Sequence, residues 1–198
     1  MATVFLIILA YLLGAIPFGV IVGKLWKGID ITKVGSGNIG ATNTYRVLGP
    51  GPGATVFVLD IVKGYLPVHL ARSLMPHAPW MAVVVSMVAI IGHTFSVFLK
   101  FKGGKGVATS LGAIIGLDAR VAAIGFGVWV LLVAVTRYVS VASIAASASV
   151  PILMIVFHEH RSYILFGILA GAFVIWKHRS NMDRLLHGTE RRWGQGSG

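Results

Sequence analysis

Seven stretches of the chain are nearly unbroken runs of apolar residues, at positions 3–23, 54–74, 80–99, 107–117, 121–135, 139–157 and 163–176. A hydrocarbon core about 30 Å thick takes roughly 20 apolar residues per helical crossing, so the longer runs read as membrane spans. The runs at 107–117, 121–135 and 163–176 are shorter than a full span. The pattern predicts an all-α integral membrane protein, one membrane-embedded domain over residues 1–198 with no room for a second. The first run has no basic residue before it and no small-residue cleavage pattern after it, which reads as a retained helix rather than a signal peptide. Residues 194–198 are expected to be a flexible tail or an expression remnant.

Charge sets the number of crossings. Basic residues gather at Lys24, Lys27, Lys33 and Arg46, at Lys100, Lys102 and Lys105, and at Lys177, Arg179, Arg184, Arg191 and Arg192, whereas the alternate connections hold Arg72, Arg120 and Arg161. Positive-inside bias puts the richer set in the cytosol. The runs at 107–117 and 121–135 admit two readings, one bent helix or two crossings. A single crossing would carry the basic tail outside; two, turning at 118–120, return it to the cytosol. Seven short transmembrane helices are therefore expected, with the N-terminus outside and the C-terminus cytosolic. Helices too short to reach both faces need neighbours over their ends or a thinned bilayer, and a depression open to the cytosol is the expected result.

Composition agrees and adds one question. Apolar residues make up 56% of the chain and charged ones 12%, far from a soluble domain. Lys plus Arg exceed Asp plus Glu by 17 to 6, an excess that suits nucleic acid, an anionic membrane surface or phosphorylated substrates. No long basic run or aromatic-interleaved strand pattern supports nucleic acid. The lack of cysteine excludes disulfides, thiolate metal sites and a cysteinyl acyl-enzyme. A transporter for phosphorylated solutes is the rival from another class, and the absence of a clear internal repeat weighs against its inverted-repeat form.

Three polar segments carry candidate chemistry. The first, Val34-Gly-Ser-Gly-Asn-Ile-Gly-Ala-Thr-Asn-Thr-Tyr-Arg46, combines glycines with small hydroxyl and amide side chains and ends in arginine. Glycine lets backbone N–H groups turn toward an oxyanion, Ser, Thr and Asn donate further hydrogen bonds, and arginine grips phosphate bidentately. The alternative is a flexible glycine-rich connector. The second, Lys100-Phe-Lys-Gly-Gly-Lys-Gly106, precedes an apolar helix whose N-terminus offers free N–H groups and a positive dipole end. It lacks the Walker A spacing; Lys100 and Lys102 read equally as positive-inside anchors, and Lys105, between two glycines, is the better phosphate contact. The third, Lys177-His-Arg-Ser-Asn-Met-Asp-Arg184, brings imidazole, guanidinium, hydroxyl and amide groups to the same side. Together they predict a site for phosphorylated ligands, with too few carboxylates for a metal cage.

Other polar residues stay open. His178 and Asp183 match an H-x-x-x-x-D spacing found in an unrelated acyltransferase group, and little rests on it. Asp60 and Lys63, three apart on one helical face, are either a self-neutralising pair or part of an ion pathway. His93 reads as a buried hydrogen-bonding residue or a neighbour of the site. The sequence His158-Glu-His160 suggests metal, or simply a solvated loop on the far side from the phosphate segments.

Taken together, Gly35-Ser-Gly-Asn-Ile-Gly-Ala-Thr-Asn43 with Arg46, Gly92-His-Thr-Phe95 followed by Lys100 to Thr109, and His178-Arg-Ser-Asn181 with His187-Gly-Thr-Glu190 resemble the acyl-phosphate-dependent glycerol-3-phosphate acyltransferases. The segment Leu59-Asp-Ile-Val-Lys-Gly64 resembles that family too, while Ser96 departs from it where proline is expected. The resemblance implies a seven-helix enzyme of the bacterial cytoplasmic (inner) membrane, acting on its cytosolic side, that transfers a fatty acyl group from acyl phosphate to the 1-hydroxyl of sn-glycerol 3-phosphate. Lysophosphatidic acid and inorganic phosphate are the implied products, without a covalent acyl-enzyme. On this reading Arg46 and Lys105 clamp glycerol 3-phosphate and Ser36 and Asn181 orient it. Gly37, Asn38, Thr42, Asn43, Gly103 and Gly104 cradle the acyl phosphate. His178 either takes the hydroxyl proton or positions the acceptor while a substrate phosphate takes it. The implied partners are the two substrates and membrane lipid, with no cofactor, metal, nucleic acid or obligatory protein partner.

Overall fold

Proline, glycine and aspartate decide where the apolar runs break. A computed structural model describes residues 1–194, and the end of the expected tail, 195–198, lies outside the described residues. Those described residues form α1 (Ala2–Ala15), α2 (Phe18–Lys27), α3 (Ala41–Leu48), α4 (Pro50–Leu74), α5 (Pro79–Thr94), α6 (Val107–Leu117), α7 (Ala119–Thr136), α8 (Val139–Val156), α9 (Arg161–Lys177) and α10 (Arg179–Leu186). Short 3₁₀ turns cover Ile31–Lys33 and Val97–Leu99. The fold is all-helical, with five stretches long and apolar enough to cross a membrane: Ala2–Lys27, Pro50–Leu74, Pro79–Leu99, Ala119–Thr136 and Val139–Val156.

The run at 3–23, expected as one helix, is two. Pro17 has no N–H to donate and disfavours helical geometry in the residue before it, so α1 stops at Ala15 and α2 starts at Phe18. The break frees carbonyls that other elements use. Ser96 Oγ, fully buried, donates to the Ala15 carbonyl at 2.6 Å, so the hydroxyl that stands where proline was expected has a partner of its own. Lys63 Nζ donates to the Ile16 carbonyl at 2.8 Å and also pairs with Asp60 at 2.8 Å, both side chains almost wholly buried. The pair is thus the self-neutralising one.

The runs at 107–117 and 121–135 are separate helices. Asp118 ends α6 and caps α7, its carboxylate accepting from the Arg120 and Val121 N–H groups at 2.6 and 3.1 Å. Arg120 then reaches Glu159 in the α8–α9 loop at 2.9 Å, and Arg72 at the end of α4 donates to the Gly116 and Leu117 carbonyls at 2.6 and 2.9 Å. With Glu159 so engaged and His160 capping α9 through Ser162 N–H, the His158-Glu-His160 segment is a structural corner. At the opposite end of the bundle, the segments after α2, after α5 and after α9 border one cavity, and Trp193 N–H donates to the Arg137 carbonyl in the α7–α8 turn at 2.6 Å.

Lipid tails are as apolar as leucine, so helix association in a membrane leans on close packing by small residues. Between α4 and α6, a Cβ on Gly64 would overlap the Thr109 carbonyl oxygen, and one on Gly112 would overlap that of Ile61. The two backbones therefore touch directly, and Val68, Val85, Ile90, Ala113 and Phe166 fill the core beside them. Gly112→Val is expected to force α4 from α6 at a cost of about 1–3 kcal/mol, seen as a lower thermal unfolding midpoint in detergent; an unchanged midpoint contradicts this packing.

Candidate active site

The glycine-rich segment folds around one side chain. Asn43, buried, donates through Nδ2 to the carbonyls of Ile31, Val34 and Asn38 at 3.2, 3.2 and 2.9 Å, and its Oδ1 accepts the Ser36 N–H at 2.8 Å. Four backbone groups thus converge on a single amide. The loop turns at Gly35 and Gly37, whose φ values of 63° and 69° suit glycine, and runs into α3. That helix was not expected, and it changes the chemistry of the loop. Asn38 Oδ1 accepts the Gly40 N–H at 2.9 Å, while Ala41 and Thr42 are the first residues of α3, where amide N–H groups have no intrahelical acceptor.

The Lys105 loop makes a second helix start. Gly106, at φ 81°, precedes α6, so Val107 and Ala108 present free amides and a positive dipole end. Ala41, Thr42, Val107 and Ala108 line one cavity of about 730 Å³, together with Ser36, Asn38, Arg46, Lys105, His178 and Asn181. The three segments read from the sequence do converge. From this polar end the cavity continues between apolar side chains, with Leu111 and Ile114 on α6, Val121 and Phe126 on α7, Val150 on α8 and Val174 on α9.

Three glycines and one amide hold the frame instead of lining or cradling. Gly37, Gly103 and Gly104 are absent from the cavity wall, and their N–H groups already donate to the carbonyls of Val34, Thr94 and His93 at 3.0, 2.9 and 3.1 Å. Asn43 borders the cavity with its side chain spent on the loop. Lys100 and Lys102 are exposed, as anchors would be. Asp183 is exposed and faces His187 at 3.5 Å, so the H-x-x-x-x-D spacing builds no dyad with His178.

Lys105 Nζ donates to Asn181 Oδ1, and Asn181 Nδ2 donates to Glu190 Oε1 at 2.6 Å. Glu190 also accepts from Arg184 Nε at 2.7 Å. Burial draws the Lys105 pKa down to about 8 against the opposing pull of Glu190. Burial raises the Glu190 carboxyl, but hydrogen bonds from Asn181 and Arg184 outweigh it and leave the group below the ordinary glutamate value. His178 is buried, its Nδ1 lies 2.8 Å from the Val174 carbonyl, and its pKa falls to about 4, chiefly through burial and then the Lys105 charge. Nδ1 therefore carries the hydrogen, and Nε2 is a neutral acceptor. Arg46 donates from Nη2 to the Arg191 carbonyl at 3.2 Å, and its buried Nε has no partner among the described residues, a cost that an acidic ligand would relieve.

Sequence reasoning gave no role to Glu190 or to the strap that follows it. Residues 190–193 cross the cavity mouth: Trp193 stacks on Tyr45 with ring centroids 4.3 Å apart, and Glu190, Arg191 and Trp193 are part of the wall. The signal was present in His187-Gly-Thr-Glu190, but nothing in a linear reading ties that carboxylate to Asn181.

The chain is similar to known proteins along nearly its whole length. The family model described as glycerol-3-phosphate acyltransferase matches residues 4–188. A glycerol-3-phosphate acyltransferase of Desulforamulus reducens is 46% identical over 193 residues, covering 98% of this chain and 96% of the relative. One from Synechococcus elongatus is 46% identical over 202 residues with the same shares covered. A crystal structure of PlsY (YgiH), an integral membrane glycerol 3-phosphate acyltransferase in its glycerol 3-phosphate form, superposes with a TM-score of 0.94 at 42% identity, over 98% of this chain and 96% of that one.

Asn43→Ala should unpin the loop at a local cost of about 1–3 kcal/mol per buried group left unpaired. Faster amide hydrogen exchange across 31–40 is the expected readout, and unchanged protection contradicts the role given to Asn43.

Proposed function

The chain belongs to the glycerol-3-phosphate acyltransferase family, and from that premise we propose that it transfers a fatty acyl group from acyl phosphate to the 1-hydroxyl of sn-glycerol 3-phosphate, releasing lysophosphatidic acid and inorganic phosphate. One observation carries the reading: a single cavity joins an end lined by cations and helix-start amides to an arm lined by apolar side chains. Two phosphorylated groups fit the first and an acyl tail fits the second.

Acyl phosphate is already activated, so the enzyme's task is to hold two mutually repelling anions in line. Arg46 and Lys105 clamp the glycerol 3-phosphate, with Ser36 at the rim. The amides at the starts of α3 and α6, with Asn38 and Thr42, receive the acyl phosphate and the charge that develops on its carbonyl oxygen. Asn181 acts through Lys105, fixed from behind by Glu190. The 1-hydroxyl oxygen attacks the acyl carbon, the bond from that carbon to the phosphate oxygen breaks, and phosphate departs with the electron pair. His178 Nε2 accepts a hydrogen bond from the hydroxyl and aims it. An imidazole held near 4 is a weaker base than a phosphate dianion, whose conjugate acid has a pKa of about 6, so the leaving phosphate takes the proton. Among the described residues no base hydrogen-bonds Ser36 Oγ, which favours direct transfer over a covalent acyl-enzyme.

We extend the proposal to topology: seven crossings, the N-terminus outside, and the site on the cytosolic side of the bacterial inner membrane. Its support is the bundle's two ends. The segments after α2, α5, α7 and α9 meet at the end rich in Lys and Arg, as two crossings by α6 and α7 require, while the α6–α7 and α8–α9 connections are joined at the other through Arg120.

The test supplies purified protein in lipid with acyl phosphate and glycerol 3-phosphate, without coenzyme A or carrier protein. Lysophosphatidic acid is the expected product; turnover with acyl-coenzyme A as sole donor would overturn the donor assignment. Arg46→Ala and Lys105→Ala should each lower kcat/KM by about 10²–10³ while leaving membrane insertion intact, and near-normal turnover by either removes it from the clamp.

Activity should depend on pH through Lys105. A lysine whose pKa is lowered to about 8 is charged below that pH and neutral above it, unlike an ordinary lysine near 10.5. Since kcat/KM reports the free enzyme, it should fall as pH rises through about 8, approaching a tenfold loss per unit beyond. A plateau extending to the ordinary lysine range rejects the role of that ammonium.

A further inference from the structure

Asp60 and His93 lie at the inner wall of the cavity but have no part in the mechanism above. Both are buried to within a few per cent. His93 belongs to the last turn of α5, where carbonyls have no intrahelical donor. Two of those carbonyls hold the Lys105 loop, that of Thr94 accepting Gly103 N–H at 2.9 Å and that of His93 accepting Gly104 N–H at 3.1 Å. The imidazole then closes over the same loop: a Cβ on Gly104 would overlap His93 Nε2 and lie 3.0 Å from Cε1. The opposite edge of the ring, at Nδ1, packs 3.8 Å from Asp60 Oδ1, a contact too long for a hydrogen bond that leaves Nδ1 without a partner among the described residues, and that carboxylate is fixed by Lys63, itself tied to the Ile16 carbonyl.

We propose that His93 and Asp60 are positioning residues for Lys105. The imidazole is the bed on which Gly104 lies, Asp60 sets the position of the ring, and the break between α1 and α2 anchors the series through Lys63. Gly104 is glycine because only a hydrogen fits between the loop and the ring. The ammonium of the very next residue meets Asn181 from the other side, so Lys105 is located by its backbone from beneath and by its Nζ from above. A displacement of about 1 Å in such a group is enough to cost orders of magnitude in rate. Burial of Asp60 and Lys63 inside the helical bundle then has a purpose beyond neutralising each other, exerted on Lys105 through the His93 ring.

The kinetic test rests on the reaction proposed above and uses a cycle in the full-length protein: Gly104→Ala, His93→Ala and the two combined. Gly104→Ala should raise the KM for glycerol 3-phosphate at least tenfold, because its methyl meets the ring. His93→Ala should raise it several-fold as the loop shifts off its buried seat, with kcat less affected. The combined variant should be no worse than Gly104→Ala and should recover part of its loss, since the truncated side chain makes room for the methyl. Asp60→Asn should give a smaller rise in the same direction. Multiplying penalties in the combined variant, or a wild-type KM in His93→Ala, overturns the proposal.

A second readout needs no turnover and separates failure of this inference from failure of the proposed reaction. The pH midpoint for acetylating Lys105, followed by mass spectrometry of its peptide, should be about 8 in the wild type and move upward in His93→Ala as the loop leaves its buried seat. An unmoved midpoint overturns the positioning role whatever the enzyme's activity; should His93→Ala fail to accumulate in the membrane, His93→Asn runs both comparisons.

Discussion

The structure depends on keeping one ammonium charged where water is scarce. Lys105 stands at the junction between an apolar cavity and the aqueous face of the bundle, and a half-buried cation is tolerated only with acceptors around it. Asn181 supplies the acceptor, Glu190 orients Asn181, and Arg184 steadies Glu190. Remote segments are drawn together by that requirement. The Glu190 strap must return over the mouth, which brings Trp193 onto Tyr45 and Arg46 onto the Arg191 carbonyl. Burial lowers the Lys105 pKa to about 8, so the charged form still prevails at neutral pH.

The shortness of α6 belongs to the same design. Eleven residues make a helix only about 16 Å long, too short to cross a bilayer by itself. Its N-terminus therefore opens within the bundle rather than beyond it, and the amides of Val107 and Ala108 face the cavity at the head of the apolar arm. A full-length helix would place those amides in bulk water, where hydration and salt would weaken their hold on an anion. Arg72 takes up the unpaired carbonyls of Gly116 and Leu117 at the other end. Membership in the glycerol-3-phosphate acyltransferase family fits a cavity of this kind, with a cationic end and an apolar arm.

Packing and chemistry share their glycines. Gly64 and Gly112 let α4 and α6 touch backbone to backbone, which fixes the start of α6 against the helix that carries Asp60 and Lys63. Gly104 does the same for the loop against His93. In a medium where apolar burial between helices contributes little, such contacts decide the register of the elements, and the register decides whether Lys105, Arg46 and His178 face one volume.

Sequence alone determined the all-helical membrane character, because runs of apolar residues and their flanking charges act locally through transfer into lipid and need no tertiary partner. It also led to the expectation that Arg46, Lys105, His178 and Asn181 share a site, since phosphate chemistry restricts the residue types able to serve it, and all four line one cavity. Three-dimensional packing decided the rest. Whether an amide N–H in a glycine-rich segment is free or already bonded depends on partners distant in the chain, which is why Gly37, Gly103, Gly104 and Asn43 look like ligand contacts in sequence and prove to be framework. The α3 start was hidden for a related reason: Ala41-Thr-Asn-Thr-Tyr-Arg46 has weak helix propensity, and its helix is held by the Asn43 amide and by packing on α4. His93 and Glu190 could be named from the sequence as polar residues, but their neighbours, and so their effects, exist only once the helices close.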